Sequence, residues 1–125
     1  MSFEIYAQRF LHGTAATVDR DEALSTLGAH LVGDELVAGD GSRAKLLGLD
    51  DDAISGLCFS RPGEGEILEL IVDVARRLGL VLMWPSVTPT FGLTTPDQAD
   101  DVPEPDWRAV VVRSGPELAD LIRDS

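Results

Sequence analysis

The chain has 125 residues, of which 22 are Asp or Glu and 10 are Lys or Arg, so its formal net charge is −12 at pH 7. This charge disfavours nucleic acid and anionic membrane surfaces as partners, because both would be repelled, and it favours a basic protein or a cation. Good solubility alone is another reading of the same acidity. The length fits one domain spanning residues 1–125, with a hydrophobic content of 44 %, as in globular proteins.

The first predicted elements are a strand and a helix. Residues 3–10 alternate apolar and polar side chains, which predicts a strand with one buried face. Asp19 and Glu22 resemble a capping box, and apolar residues continue after them at helical spacing. A helix is therefore expected near residues 20–31.

A hairpin and a further strand are predicted next. Asp40-Gly41 is a strong turn signal, because both positions tolerate a positive φ angle, and apolar segments flank it. Residues 35–48 are therefore expected to form a hairpin. The β-branched and aromatic content of residues 53–59 favours one more strand.

The clearest helix covers residues 65–78. Its apolar residues form a stripe at helical spacing, its acidic residues lie near the N-terminus, and Gly79 is placed to end it. The continuous apolar run 80–84 then predicts a strand buried on both faces. With residues 53–59 it forms a strand-helix-strand unit, whose crossover should be right-handed.

Residues 85–106 contain five of the seven prolines and are predicted to form a long irregular loop. Residues 109–113 are predicted to form a strand. Ser114 and Glu117 then form a capping-box pattern for a final short helix.

The resulting order, β-α-β-β-β-α-β-β-α, predicts an α+β fold in which helices pack on one face of a single mixed sheet. A ferredoxin-like core with additions is one candidate topology. No internal repeat is present. One cysteine excludes an intramolecular disulfide, and the chain has neither a secretory start nor an apolar run long enough for a bilayer, so a cytoplasmic protein is expected.

The acidic Pro-rich loop is the main candidate site, because long loops in compact domains are often functional. Aromatic residues at or near its ends would act as apolar anchors, surrounded by carboxylates that would meet a basic partner. The expected partner-binding residues are Trp84, Phe91, Asp97, Asp100, Asp101, Glu104, Asp106 and Trp107. The alternative reading is that Trp84 and Trp107 belong to the core and the loop hangs between them.

A second candidate site is a pocket near strand ends, formed by Tyr6, His12, Arg61 and Arg113. Such convergence would favour a small enzyme or a ligand-binding domain. His12 is its candidate general base, whereas Cys58 is expected to be a buried, inert thiol within an apolar strand.

No cofactor or metal is expected from the sequence. The acidic run 50–52 lacks the alternating ligand spacing of a calcium loop, and two His and one Cys cannot complete a soft zinc site. Pro62-Gly63-Glu64-Gly65 precedes a helix but lacks the Lys of a phosphate-binding loop.

Three short stretches resemble a set of short bacterial proteins of unknown function. They are Glu4-Ile5-Tyr6 with Gln8-Arg9-Phe10, Ile54-Ser55-Gly56-Leu57 leading to Arg61-Pro62, and Val110-Val111-Val112-Arg113-Ser114-Gly115. The resemblance spans nearly the whole chain. It implies no particular activity, because these are strand and turn sequences.

Two function classes follow. The first is a non-enzymatic acidic protein-binding module, in its concrete form an immunity or antitoxin-like inhibitor of a basic protein. The second is the small enzyme or small-molecule-binding domain described above. Because no stretch combines a nucleophile or base with an orienting group, the sequence favours the first class. A homodimer, completed by a second copy, is a third alternative.

Overall fold

The computed structural model describes residues 4–50, 52–63, 65–85, 89–104 and 106–124. The helices are α1 (Arg20–Leu27), α2 (Glu66–Leu78) and α3 (Gly115–Asp124), with 3₁₀ turns at Gly28–His30 and Pro96–Asp100. The strands are β1 (Glu4–Leu11), β2 (Thr14–Ala16), β3 (Val18–Asp19), β4 (Leu31–Val32), β5 (Glu35–Val37), β6 (Arg43–Leu47), β7 (Ala53–Ile54), β8 (Leu57–Ser60), β9 (Val81–Met83), β10 (Thr90–Leu93) and β11 (Arg108–Val111).

Strand β1 lies at the centre of the main sheet, whose order is β11-β10-β9-β1-β8-β6-β5-β4, with β2 paired to β1. Strands β9, β1, β8 and β6 are mutually antiparallel neighbours. Helix α1 lies in the connection from β1 to β6, and α2 in the connection from β8 to β9. This order and connectivity are those of a ferredoxin-like β-α-β-β-α-β core, with strands added at both edges. The mixed α+β fold predicted from the sequence is therefore confirmed.

All three helices contribute to one core on the same face of the sheet. Helix α2 contributes more apolar side chains to this core than the other two helices. Its apolar residues recur every three or four positions and therefore share one side of the helix. They meet the inward-facing residues of the central strands, such as Ile5 on β1 and Phe59 on β8, both fully buried. Helix α3 adds Leu118 and α1 adds Leu27. The opposite face of β1, β8 and β6 is not covered by any of these helices.

Helix α2 begins and ends for identifiable reasons. Gly79 adopts a left-handed conformation with φ of 68°, which ends the helix as predicted. At the other end, the turn of the β5-β6 hairpin reaches the first turn of the helix. The carboxylate of Asp40 accepts a hydrogen bond from the backbone N–H of Glu66 at 3.0 Å, and the hydroxyl of Ser42 accepts one from Ile67 at 2.9 Å. The hairpin turn therefore caps a helix that follows it much later in the chain.

Of the two predicted capping boxes, the structure contains the one at α3 and lacks the one at α1. Ser114 accepts a hydrogen bond from the N–H of Glu117, as expected for the start of α3, while the Glu117 carboxylate reaches the N–H of Arg113. Asp19 precedes α1 but makes no side-chain capping bond. Helix α1 is therefore held by burial of its apolar residues rather than by the predicted box.

The predicted loop 85–106 is wrong in one respect, because it contains strand β10. This strand pairs antiparallel with β9 and parallel with β11. Gly92 in its centre is the reason that the pattern was not recognisable as a strand, since glycine is depleted in strands. The structure explains the glycine: a Cβ atom there would lie 2.9 Å from the indole ring of Trp84.

Candidate functional site

The connection from β10 to β11 crosses the face of the sheet that lies opposite the helices. Parallel pairing of β10 and β11 requires the chain to return across the sheet between them. Val102 in this connection packs against Val81 and Phe91, whose side chains point away from the helices. We call the described residues of this connection, 94–104 and 106–107, the acidic crossover.

The acidic crossover is fixed to the sheet at its beginning. Thr95 and Gln98 form a reciprocal capping box at the 3₁₀ turn. The side-chain oxygen of Gln98 also accepts a hydrogen bond from the N–H of Thr94 at 2.7 Å, and the Thr94 hydroxyl donates to the carbonyl of Leu80 at 3.2 Å. These bonds tie the turn to the chain that enters β9.

Asp101 fixes the middle of the acidic crossover to the β1-β2 hairpin. Its carboxylate accepts a hydrogen bond from the N–H of His12 at 3.0 Å, and its carbonyl accepts one from Gly13 at 2.8 Å. The Nδ1 atom of His12 lies 3.8 Å from the same carboxylate. Asp101 is thus largely committed to holding two segments together.

Four other carboxylates of the acidic crossover form no ion pair within the described part of the chain. All four are exposed; they are Asp97, Asp100, Glu104 and Asp106. Six of the ten Lys and Arg residues of the chain pair with carboxylates elsewhere: Arg9, Arg43, Lys45, Arg76, Arg77 and Arg123. The acidic crossover therefore keeps its negative charge unneutralised.

The three aromatic residues of the candidate site separate into two groups. Trp84 is 6 % exposed and Phe91 is 1 % exposed, so neither reaches a partner, and the expectation that they act as contacts is wrong. Trp84 fills the space above Gly92 on the helix side, and Phe91 is covered by the acidic crossover itself. Trp107 is 37 % exposed and stacks on Phe91 with ring centroids 4.7 Å apart. It is the one of the three that is exposed to solvent.

The alternative pocket does not form. Arg61 follows β8 at the end where Glu4 pairs with Ser60, whereas His12 follows the opposite end of β1. Glu4 and His12 are eight positions apart along β1 and the turn after it, which is roughly 26 Å at about 3.3 Å per residue. No hydrogen bond or ion pair between described residues joins any two of the four predicted pocket residues, which include Tyr6 and Arg113. The side chain of His12 is 86 % exposed at a turn with φ of 52°.

A polar cluster that the sequence did not reveal lies on the uncovered face of the sheet. The carboxylate of Glu4 accepts hydrogen bonds from the hydroxyl of Tyr6 at 2.8 Å and from the thiol of Cys58 at 3.2 Å. Glu4 and Tyr6 share a face because they are two positions apart on β1, and the register places Cys58 opposite Tyr6. The alternation of side chains along a strand predicts from the sequence that Glu4 and Tyr6 share a face. The strand register that brings Cys58 next to them cannot be read from the sequence.

This cluster makes a poor nucleophile. Partial burial, followed by the carboxylate of Glu4, raises the pKa of the Cys58 thiol to about 11. The hydrogen bonds from Tyr6 and Cys58 hold the pKa of Glu4 below its usual value, and the bond to Glu4 raises the pKa of Tyr6. The thiol stays protonated near neutral pH and the carboxylate is a weak base. The predicted burial of Cys58 is wrong, because the thiol lies partly exposed on the open face and not in the core, while its raised pKa agrees with the expected low reactivity.

A groove of about 650 Å³ lies between α2 and α3, and several of its polar groups are engaged in bonds within the fold. The Glu69 carboxylate accepts a hydrogen bond from the N–H of Gly115 at the start of α3, and Arg123 pairs with Asp120. Asp40 at the other end caps α2, so the sequence Pro62-Gly63 before this helix does not form an open anion site. Structural hydrogen bonds and an ion pair therefore account for Asp40, Glu69 and Arg123 at this groove.

Among the described residues, no three His, Cys, Asp or Glu side chains come together as a metal site would require. None of the helices in the described part of the chain combines the length and apolar character needed to cross a membrane. Comparison of the chain with protein-family models, with curated proteins and with solved structures finds no match. The acidic crossover is the surface whose chemistry distinguishes this chain.

Proposed function

We propose that this protein is a non-enzymatic binding domain that captures a basic protein, as an immunity or antitoxin-like inhibitor does, through its acidic crossover. The observation that carries this proposal is the set of four exposed carboxylates, Asp97, Asp100, Glu104 and Asp106, without an ion-pair partner among the described residues. They belong to a segment whose backbone is tied down by Thr94 and its neighbours. A partner would therefore meet charges on an ordered surface, with less entropy lost on binding.

Trp107 adds an apolar contact to this charged surface. Its ring is stacked on Phe91, so its orientation is already fixed before a partner arrives. Exposed, rigid aromatic residues beside charged groups are typical centres of binding energy in protein interfaces. The carboxylates then steer the partner, and the indole ring contributes to its retention.

The first test compares three forms of the tagged protein in an affinity purification from the source cell. The crossover variant carries Asp97→Asn, Asp100→Asn, Glu104→Gln and Asp106→Asn. The matched control carries Asp19→Asn, Asp21→Asn, Asp50→Asn and Asp52→Asn, which removes the same charge from exposed positions around α1. These control residues also form no ion pair among the described residues.

A basic protein captured stoichiometrically by the wild type and the control, and lost with the crossover variant, is the expected result. Its association rate with the purified wild type should fall by about ten-fold or more in the crossover variant and should decrease steeply with salt. Equal losses in both variants would mean that net charge alone matters. Capture of no basic partner by the wild type would contradict the proposal.

A further inference from the structure

Strand β11 is the last strand of the main sheet, and its outer edge has no partner strand in the described part of the chain. The N–H groups of Arg108 and Val112 donate to carbonyls of Pro89 and Leu93, at 3.2 Å and 2.7 Å, so these residues bond inward to β10. In a parallel ladder successive residues bond alternately to one side and to the other, so Arg108, Val110 and Val112 bond inward to β10. The N–H and C=O groups of Ala109 and Val111 are therefore directed outward.

This edge differs from the opposite edge of the sheet. Strand β4 has two residues, Leu31–Val32, a length that offers little for another strand to pair with. Strand β11 has four residues, and its outward groups are not protected by a proline or a bulge. Ala109 is also exposed, so its small side chain leaves the edge accessible.

The two faces beside this edge have different charge. Val111 belongs to the cluster under the acidic crossover, so Ala109 and Val111 face that side, where the unpaired carboxylates lie. Val110 is in register with Gly92, which faces the helix side. By strand alternation, Arg108 also lies on the helix side. An added strand would meet carboxylates on one face and a cation on the other.

We propose that an extended segment with basic side chains at every second position pairs with the outer edge of β11. This inference rests on the proposed function and adds the mode of recognition to it. Main-chain hydrogen bonds from Ala109 and Val111 hold the segment, and its alternate basic side chains lie toward Asp106 and the other crossover carboxylates. Neutral side chains between them avoid the positive charge of Arg108. A second copy of this chain is disfavoured as the occupant by its net charge of −12.

The test uses two capped peptides of equal composition and charge. One is Lys-Val-Lys-Val-Lys-Val, which matches the alternation, and the other is Lys-Lys-Lys-Val-Val-Val. Fluorescence anisotropy of labelled peptide at low salt measures both dissociation constants with the wild-type protein. The alternating peptide should bind about ten-fold more tightly, since the gained main-chain hydrogen bonds supply a difference of that order.

Two changes isolate the edge from the charge. Ala109→Pro removes the outward N–H and leaves the bonds to β10, since proline is tolerated at a strand edge. It should abolish the preference for the alternating peptide while both peptides keep their weaker binding. The same loss is expected when the alternating peptide carries N-methyl groups on every second amide, a test that needs no protein variant and so does not depend on the fold of the proline form.

The binding measurements distinguish a wrong edge proposal from a wrong proposed function. Equal binding of the two peptides to the wild type, or no binding of either, would overturn the edge proposal. A preference that survives both Ala109→Pro and N-methylation would overturn it as well. If the crossover variant binds both peptides as tightly as the wild type, the proposed function fails instead, because the carboxylates then contribute nothing. If the wild type dimerises with rising concentration and Ala109→Pro does not, the strand that pairs with the edge of β11 comes from a second copy of this chain, and the basic-segment proposal is overturned.

Discussion

Truncation of Phe91 tests whether the acidic crossover is packed on the sheet as described. Phe91 is 1 % exposed, stacks on Trp107 at 4.7 Å between centroids, and meets Phe10 edge-on at 6.0 Å. Replacing a buried Phe with Ala costs about 3–5 kcal/mol in stability. The larger part of this range is expected, because the crossover is hydrogen-bonded at Thr94 and Asp101 and cannot collapse freely into the cavity.

The more conservative change Phe91→Leu keeps most of the volume and loses the two ring contacts. Each aromatic pair contributes about 0.5–1.5 kcal/mol beyond its buried area, so the loss of both pairs should cost this variant about 1–3 kcal/mol. Urea denaturation followed by far-UV circular dichroism and by tryptophan fluorescence measures both variants. The exposed Val32→Ala, at 65 % exposure, is the control and should change the free energy of unfolding by about 0.5 kcal/mol at most.

The sizes of these stability losses test the packing of the acidic crossover on the sheet. A loss below about 1 kcal/mol for Phe91→Ala would refute the packing of the crossover on β10, since such a value is typical of a half-exposed site. A large loss for both Phe91→Leu and Val32→Ala would instead point to a generally fragile chain. In either case the ordered acidic surface would no longer be supported.

Three further changes test other parts of the structure. In urea denaturation, Gly92→Ala should destabilise the protein by about 1–3 kcal/mol because its methyl group meets the indole ring of Trp84. Gly28→Ala, with no neighbour within 4 Å, is the control and should be neutral or stabilising. Hydrogen bonds from Ser42 and from the start of α2 lower the pKa of Asp40, so the stability it adds is present above its unfolded pKa and is lost as the pH falls through the folded one. Urea denaturation should therefore find Asp40→Asn less stable than wild type at pH 7, and the difference should close below about pH 4; a constant difference would be the contrary result. With a pKa of about 11 against 9.0, Cys58 should have about 100-fold less thiolate than a peptide thiol near neutral pH, and it should react with iodoacetamide about ten-fold more slowly, because a more basic thiolate is the better nucleophile. Glu4→Gln should partly restore the rate, and a rate equal to the peptide's would contradict the raised pKa.

Local sequence pattern was sufficient for most helices and strands. Helix α2 combines a regular apolar stripe with complementary charges and a terminal glycine, so its local and tertiary preferences agree. The ferredoxin-like candidate also fits the observed strand order. The local sequence pattern does not predict strand β10. Glycine is required at position 92 because the indole ring of Trp84 leaves no room for a Cβ atom, and a local pattern carries no information about that contact.

The candidate site could be predicted in composition and not in geometry. The carboxylates of the acidic crossover are near one another in sequence, so they also share one segment in space. The pocket of His12 and Arg61 depended on strand register, and antiparallel pairing of Glu4 with Ser60 sends these residues to opposite ends of β1. Burial of Phe91 depended likewise on which face the crossover covers.

The central position of β1 bears on how the chain folds. Its two neighbours are β8 and β9, and the pairs Ile5 with Phe59 and Ala7 with Leu82 join residues that are far apart in sequence. Closing such long loops costs entropy before the contacts compensate for it, which slows folding relative to helical proteins of similar size. During synthesis, the first strand must wait with one edge unpaired until β9 has been made. The central part of the sheet is therefore complete only when β9 adds to the free edge of β1, and folding of the core cannot finish segment by segment from the N-terminus.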